Sequence, residues 1–136
     1  MNDYRGKRID NGEWVKGSLV EVVDGFWILP KDQYLTDLAY FFRDNEKHAE
    51  AFEVRPASVG QSTGKKDKND VEVYRGDEVL GDPDVGTAFV EWNQFVAAFG
   101  ITKKGVFLYP SSFTYSWQDL EVIGNIYDNP ELLEVE

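Results

Sequence analysis

The amino-acid sequence predicts a mainly β fold with one short inserted helix and a short helical turn at its C-terminal end. Three observations lead there. Short runs of β-branched and aromatic residues alternate in part with polar ones, turn residues punctuate those runs, and only residues 33–42 carry apolar side chains at helical spacing. With 136 residues, 42% hydrophobic and 15% aromatic, the chain can bury a sizeable core. It reads as a single domain, 1–136, or as two packed β-lobes, about 1–58 and 71–136, joined by a polar loop.

The opening residues, 4 to 30, read as strands divided at Asp10-Asn11-Gly12 and at Asp24-Gly25, residues that tolerate the positive φ of tight hairpin turns. Trp14 to Val23 suits a strand packed on one face, with Gly17 as a bend or bulge, and Phe26 to Leu29 is its return strand, stopped by Pro30. Leu35, Leu38, Ala39 and Phe42 then fall at i, i+3, i+4 and i+7, which predicts a helix over 33–42. Ala51 to Pro56 is a brief extended run. The stretch from Val59 to Asp70 is rich in Gly, Ser, Thr and Lys and reads as a turn-rich loop. Val71 to Tyr74, Glu78 to Leu80, Thr87 to Trp92, Phe95 to Ile101 and Gly105 to Tyr109 follow as a β-meander, with Lys103-Lys104-Gly105 as a hairpin tip. Leu120 to Tyr127 is a last strand interrupted at Gly124. Asn129-Pro130-Glu131 then places Asn at a cap, Pro at the first helical position and a carboxylate in the first turn. Tyr4-Arg5-Gly6 recurs as Tyr74-Arg75-Gly76, an echo that two similar lobes would explain.

Composition removes whole classes of function. Twenty-five acidic residues against 14 basic ones give a formal charge of −11, which opposes a nucleic-acid backbone and an anionic membrane. No cysteine is present, so thiol nucleophiles, disulfides and zinc fingers are out, and the lone His48 leaves Ser-His-Asp chemistry a single base. No apolar run approaches the ~20 residues of a membrane-spanning helix, and the expectation is a cytoplasmic protein. Gly60-Gln61-Ser62-Thr63-Gly64-Lys65-Lys66 lacks the spacing of a phosphate-binding P-loop. Asp82-Pro83-Asp84 fits a proline turn with solvated carboxylates better than a calcium or glycosidase site. No cofactor, metal or catalytic residue is assigned.

Several segments, in order, resemble the YopX family of phage and prophage proteins. They are Tyr4-Arg5-Gly6-Lys7-Arg8 with Gly12 to Gly17, Val59 to Gly64, Lys66 to Asn69, Val73 to Val79, Ala98 to Ile101, and Glu121 to Leu133. The chain departs from the family pattern at Ser62, where an aromatic is usual, at Asp70, where glycine is usual, and at Arg75, where an acidic residue is usual. Residues 31–53 look like a variable insertion. The resemblance implies a small protein of SH3-like barrel lobes that self-associates, encoded by a phage or prophage and resident in the bacterial host, in a family with no established enzymatic activity, and no enzyme is expected. The expected function is contact with a protein partner or a second copy. An acidic decoy imitating DNA and an unfamiliar hydrolase or nucleotide-binding enzyme are the alternatives. The candidate interaction surface comprises Gln61, Thr63, Lys65, Lys66 and Lys68 on the polar loop, with Tyr115 and Trp117 from an aromatic turn.

Overall fold

A computed structural model describes residues 3–30 and 51–133; the predicted helix over 33–42 lies outside them. The described residues form eleven strands in two antiparallel sheets, ordered β4-β3-β2-β1-β5-β6 and β10-β9-β8-β7-β11, and neither sheet closes into a barrel among those residues. They fall into two units, divided between Gln61 and Ser62.

In the first unit β1 (Tyr4–Lys7), β2 (Trp14–Val22), β3 (Gly25–Pro30) and β4 (Phe52–Val54) form a meander. Val22 faces Gly25 across a two-residue turn of Val23 and Asp24, one position earlier than Asp24-Gly25 suggests. Gly17 is not a bulge: its neighbours pair in unbroken register with β1 and with β3. Its role is close approach, because a Cβ there would lie 2.1 Å from the Leu29 carbonyl oxygen. A 3-10 turn, Pro56–Ser58, then leads into β5 (Gly60–Lys66), whose first two residues pair with Arg5 and Tyr4. The Ser58 hydroxyl ties that turn to β1: it accepts from the Lys7 N–H at 2.8 Å and donates to the Arg55 carbonyl at 2.6 Å. Ser58→Ala removes both bonds of this hydroxyl bridge and should cost about 1–2 kcal/mol, read as a lower denaturation midpoint in urea with unchanged slope. Leu29, Ala51, Val20 and Trp27 pack together in this unit.

The second unit repeats that order. β7 (Asp77–Leu80), β8 (Thr87–Asn93), β9 (Ala98–Lys103) and β10 (Val106–Leu108) form a meander, a 3-10 turn follows at Trp117–Asp119, and β11 (Glu121–Asn125) returns to pair with β7. Ser116 caps the turn in a capping box with Asp119. Val73, Val79, Ala88, Val90, Ile101, Tyr115, Trp117 and Leu120 make its core. The ladder of β11 shifts register between Val122 and Gly124, at the predicted interruption, and the predicted C-terminal turn is a 3-10 turn over Pro130–Leu133. The repeated topology is not carried by the Tyr-Arg-Gly echo. Tyr4-Arg5-Gly6 lies within β1, whereas Tyr74 ends β6 (Glu72–Tyr74) and Arg75-Gly76 form the turn into β7.

Two other expectations are corrected. The stretch read as a turn-rich loop contains β5, because its hydroxyls stand in for missing ladder bonds where the β5–β6 register shifts. The Ser62 hydroxyl bonds Glu72 and the Thr63 hydroxyl donates to the Val73 carbonyl at 2.8 Å. The strand expected over Phe95–Ile101 begins only at Ala98. Asn93 accepts from the Phe95 and Val96 N–H groups, and the chain turns over 94–97 with Ala97 at a φ of 53°.

Candidate interaction surface

The basic cluster of the β5 region is partly charge-balanced. Lys66 lies 3.5 Å from the Asp70 carboxylate and Lys68 3.6 Å from that of Glu121, so two of its three cations stand beside anions. Gln61 and Lys65 are exposed, whereas Thr63 is half-buried and spends its hydroxyl on Val73 and on the Lys65 N–H. Asp70, where the family pattern has glycine, holds a φ of 64°, the conformation glycine adopts most readily. The extended β5 also removes any phosphate-cradling loop.

Tyr115 and Trp117 do not belong to a surface. They are 5% and 8% exposed and meet edge to face with ring centroids 5.8 Å apart. The Tyr115 hydroxyl donates to the Leu108 carbonyl at 3.0 Å, and burial pushes its phenol pKa up. A proline-containing turn is therefore no guide to exposure here, since its last aromatics fold back to fill the core.

Other aromatics occupy the surface instead. Phe113 is 96% exposed and Phe95 89%, with Trp92, Val96 and Tyr109 about half exposed. The ladder brings their segments to one end of the second sheet. Asn93 pairs with Ala98 and Leu108 with Ile101, so the β8–β9 turn and the loop after β10 leave the same end. Trp92 is held there edge to face on Phe99 at 4.9 Å. The loop is braced by its own hydroxyls: Thr114 donates to the Tyr109 carbonyl at 2.6 Å and Ser111 accepts from the Phe113 N–H at 3.2 Å. Residues 92–102 and 105–118 contain no charged side chain, in a chain that is 29% charged. The sequence reads Trp92 and Phe95 as core and the turn-like segment 109–117 as a candidate exposed patch; the signal missed for the first pair is that Asn93-Gln94 opens a turn.

Asp82 behaves as a turn residue, accepting from the Asp84 and Val85 N–H groups at 2.9 and 3.0 Å. Among the described residues no group of three or more His, Cys, Asp or Glu is placed to hold a metal ion, and no helix is long and apolar enough to cross a membrane. His48 lies outside the described residues.

No curated protein matches the chain. The family model described as YopX protein matches residues 3–134, nearly its whole length, with the Tyr-Arg-Gly opening, the β5 segment and the Gly124 strand all inside the match. The chain therefore belongs to the YopX family.

Proposed function

We propose that this protein is a noncatalytic phage or prophage accessory protein that works in the bacterial cytoplasm by apolar protein–protein contact, self-association included. One observation carries the reading: the uncharged end of the second sheet presents Trp92, Phe95, Val96, Tyr109 and Phe113 to solvent. Exposed aromatics gathered apart from charge form the kind of patch that a partner's apolar surface desolvates. In a chain of net charge −11, this is also where another protein can approach without meeting a carboxylate on these segments. The SH3-like reading of each lobe is supported by the repeated order, a four-strand meander with a 3-10 turn before a fifth strand that returns to the first.

The test combines light scattering with capture from host and phage-infected lysate at low and high salt. The expected association resists salt and is lost in Phe95→Ser/Phe113→Ser, while the thermal midpoint stays put because neither side chain is packed. A complex that dissolves at high salt and ignores both substitutions would overturn this reading and favour an acidic decoy.

A further inference from the structure

Glu78, the second residue of β7, is 0% exposed, and neither carboxyl oxygen has a hydrogen-bond partner among the described residues. A charged carboxylate in that position forfeits its hydration with nothing in return, whereas a protonated one forfeits far less. The ladder sets Glu78 opposite Phe89 on β8 and opposite Gly124 on β11, and residues directly opposite share a face. On that face the C-terminal segment folds back. A Cβ on Gly124 would stand 2.7 Å from the Asn129 Oδ1 and 3.2 Å from the Leu132 Cδ1, so the absence of a side chain at 124 is what lets the segment lie down. Backbone bonds hold it there: the Ile126 N–H donates to the Gly76 carbonyl at 2.8 Å, Asn129 to Asn125 at 2.8 Å and Leu132 to Asn129 at 3.2 Å. The 3-10 turn Pro130–Leu133 packs on β8.

The ionisable groups around this face are mostly acidic. Glu131 comes from the turn and Asp128 from the bend before it; Glu91 stands two residues beyond Phe89 on β8 and accepts from the Thr102 hydroxyl. Glu121 of β11 faces Leu80 with Lys68 beside it, and Arg75 stands in the turn into β7 next to Gly76, the residue that anchors Ile126. From Asp119 to Glu136 there is no Lys or Arg to balance a charge on Glu78.

We propose that Ile126–Leu133 is a proton-linked cover, closed over β7, β8 and β11 while Glu78 is protonated and released as Glu78 ionises. Burial, reinforced by the negative charge of Glu131, raises the Glu78 pKa above its ordinary 4.5 in the closed form. With the cover lifted, water restores the ordinary value. Below pH 4.5 both forms carry the proton and closure has its full strength. As pH rises from there toward the raised value, closure weakens about tenfold per pH unit, then levels off once the closed form also ionises.

Amide hydrogen exchange at Ile126, Asn129 and Leu132, corrected for the intrinsic rate, tests this from pH 4.5 upward. In the native chain protection should fall with pH by about tenfold per unit within the window. In Glu78→Gln, a neutral group of the same shape, it should stay high and flat. The carboxyl carbon shift of Glu78, followed by NMR on the unsubstituted protein, should titrate above the ordinary glutamate range. A Glu78 signal at the ordinary value, or the same pH-dependent loss of protection in Glu78→Gln, overturns the proposal.

Discussion

Asp67→Ala should lower the free energy of unfolding by about 5 kcal/mol, near the low end of the sum for a carboxylate that accepts three backbone N–H bonds at roughly 1.5–3 kcal/mol each. The side chain is 3% exposed. Its Oδ1 takes the N–H groups of Asn69 at 2.8 Å and Val71 at 2.9 Å, and its Oδ2 takes that of Val122, 55 residues on, at 2.9 Å. One residue thus closes the turn into β6 and pins the start of β11. Asp67→Asn keeps one acceptor but turns an amide N–H₂ toward the donor it replaces, so about half of the loss should persist. Burial alone would raise the Asp67 pKa; the N–H bonds of Val122, Val71 and Asn69, with the nearby Lys68 charge, outweigh it and hold the value below 3.8. The sign follows: the stabilisation is complete above 3.8 and is lost as pH falls through the lower folded-state value. Urea titrations of both proteins at neutral pH and at about pH 3 should show the gap between them narrowing in acid.

Gly17→Ala should cost about 3 kcal/mol or more, the upper end of what overpacking does in a closed structure. The new methyl would meet the Leu29 carbonyl oxygen at 2.1 Å, its carbon at 2.8 Å and the Pro30 Cα at 3.0 Å. All three are backbone atoms of the paired strand, so no rotamer change relieves the clash and β2 must draw away from β3. Gly105→Ala supplies the contrast: at a φ of 80° with nothing within 4 Å of the added carbon, it should cost only about 1 kcal/mol, the backbone penalty alone. Thermal unfolding by circular dichroism ranks the two, and amide shifts confined to β1–β3 would locate the Gly17 effect.

The strands announced by punctuation were legible. Gly12, Gly76 and Gly105 occupy positive φ at or beside the predicted turns, and Gly124 stands where the last ladder slips. What escaped were features that depend on partners distant in sequence. β5 has the composition of a loop and becomes a strand because Tyr4, Arg5 and Tyr74 supply its pairing. Asp67 looks like a local turn former, and it does bind Asn69 and Val71, but its bond to Val122 exists only once the sheet has formed. From sequence, Tyr115 and Trp117 were placed on the surface for a related reason. Hydrophobicity cannot distinguish Phe113 from Trp117, four residues apart in one uncharged stretch, when a capped 3-10 turn carries one into the core and hydroxyl bonds hold the other's loop outside.

The return of each fifth strand to its first has a cost during synthesis. As the ribosome delivers the chain, β2 pairs with β1 and β3 with β2 within a few residues of emerging, but the other edge of β1 stays unpaired until Gly60 and Gln61 arrive more than fifty residues later. β7 waits more than forty residues for β11 in the same way. An open edge held that long is a template for a neighbouring nascent chain, and non-local closure is the slow step of such folds. Arg5 and Lys7 on β1, and Asp77 and Glu78 on β7, place charge on each waiting edge, where it deters a strand of another molecule until the chain's own strand arrives.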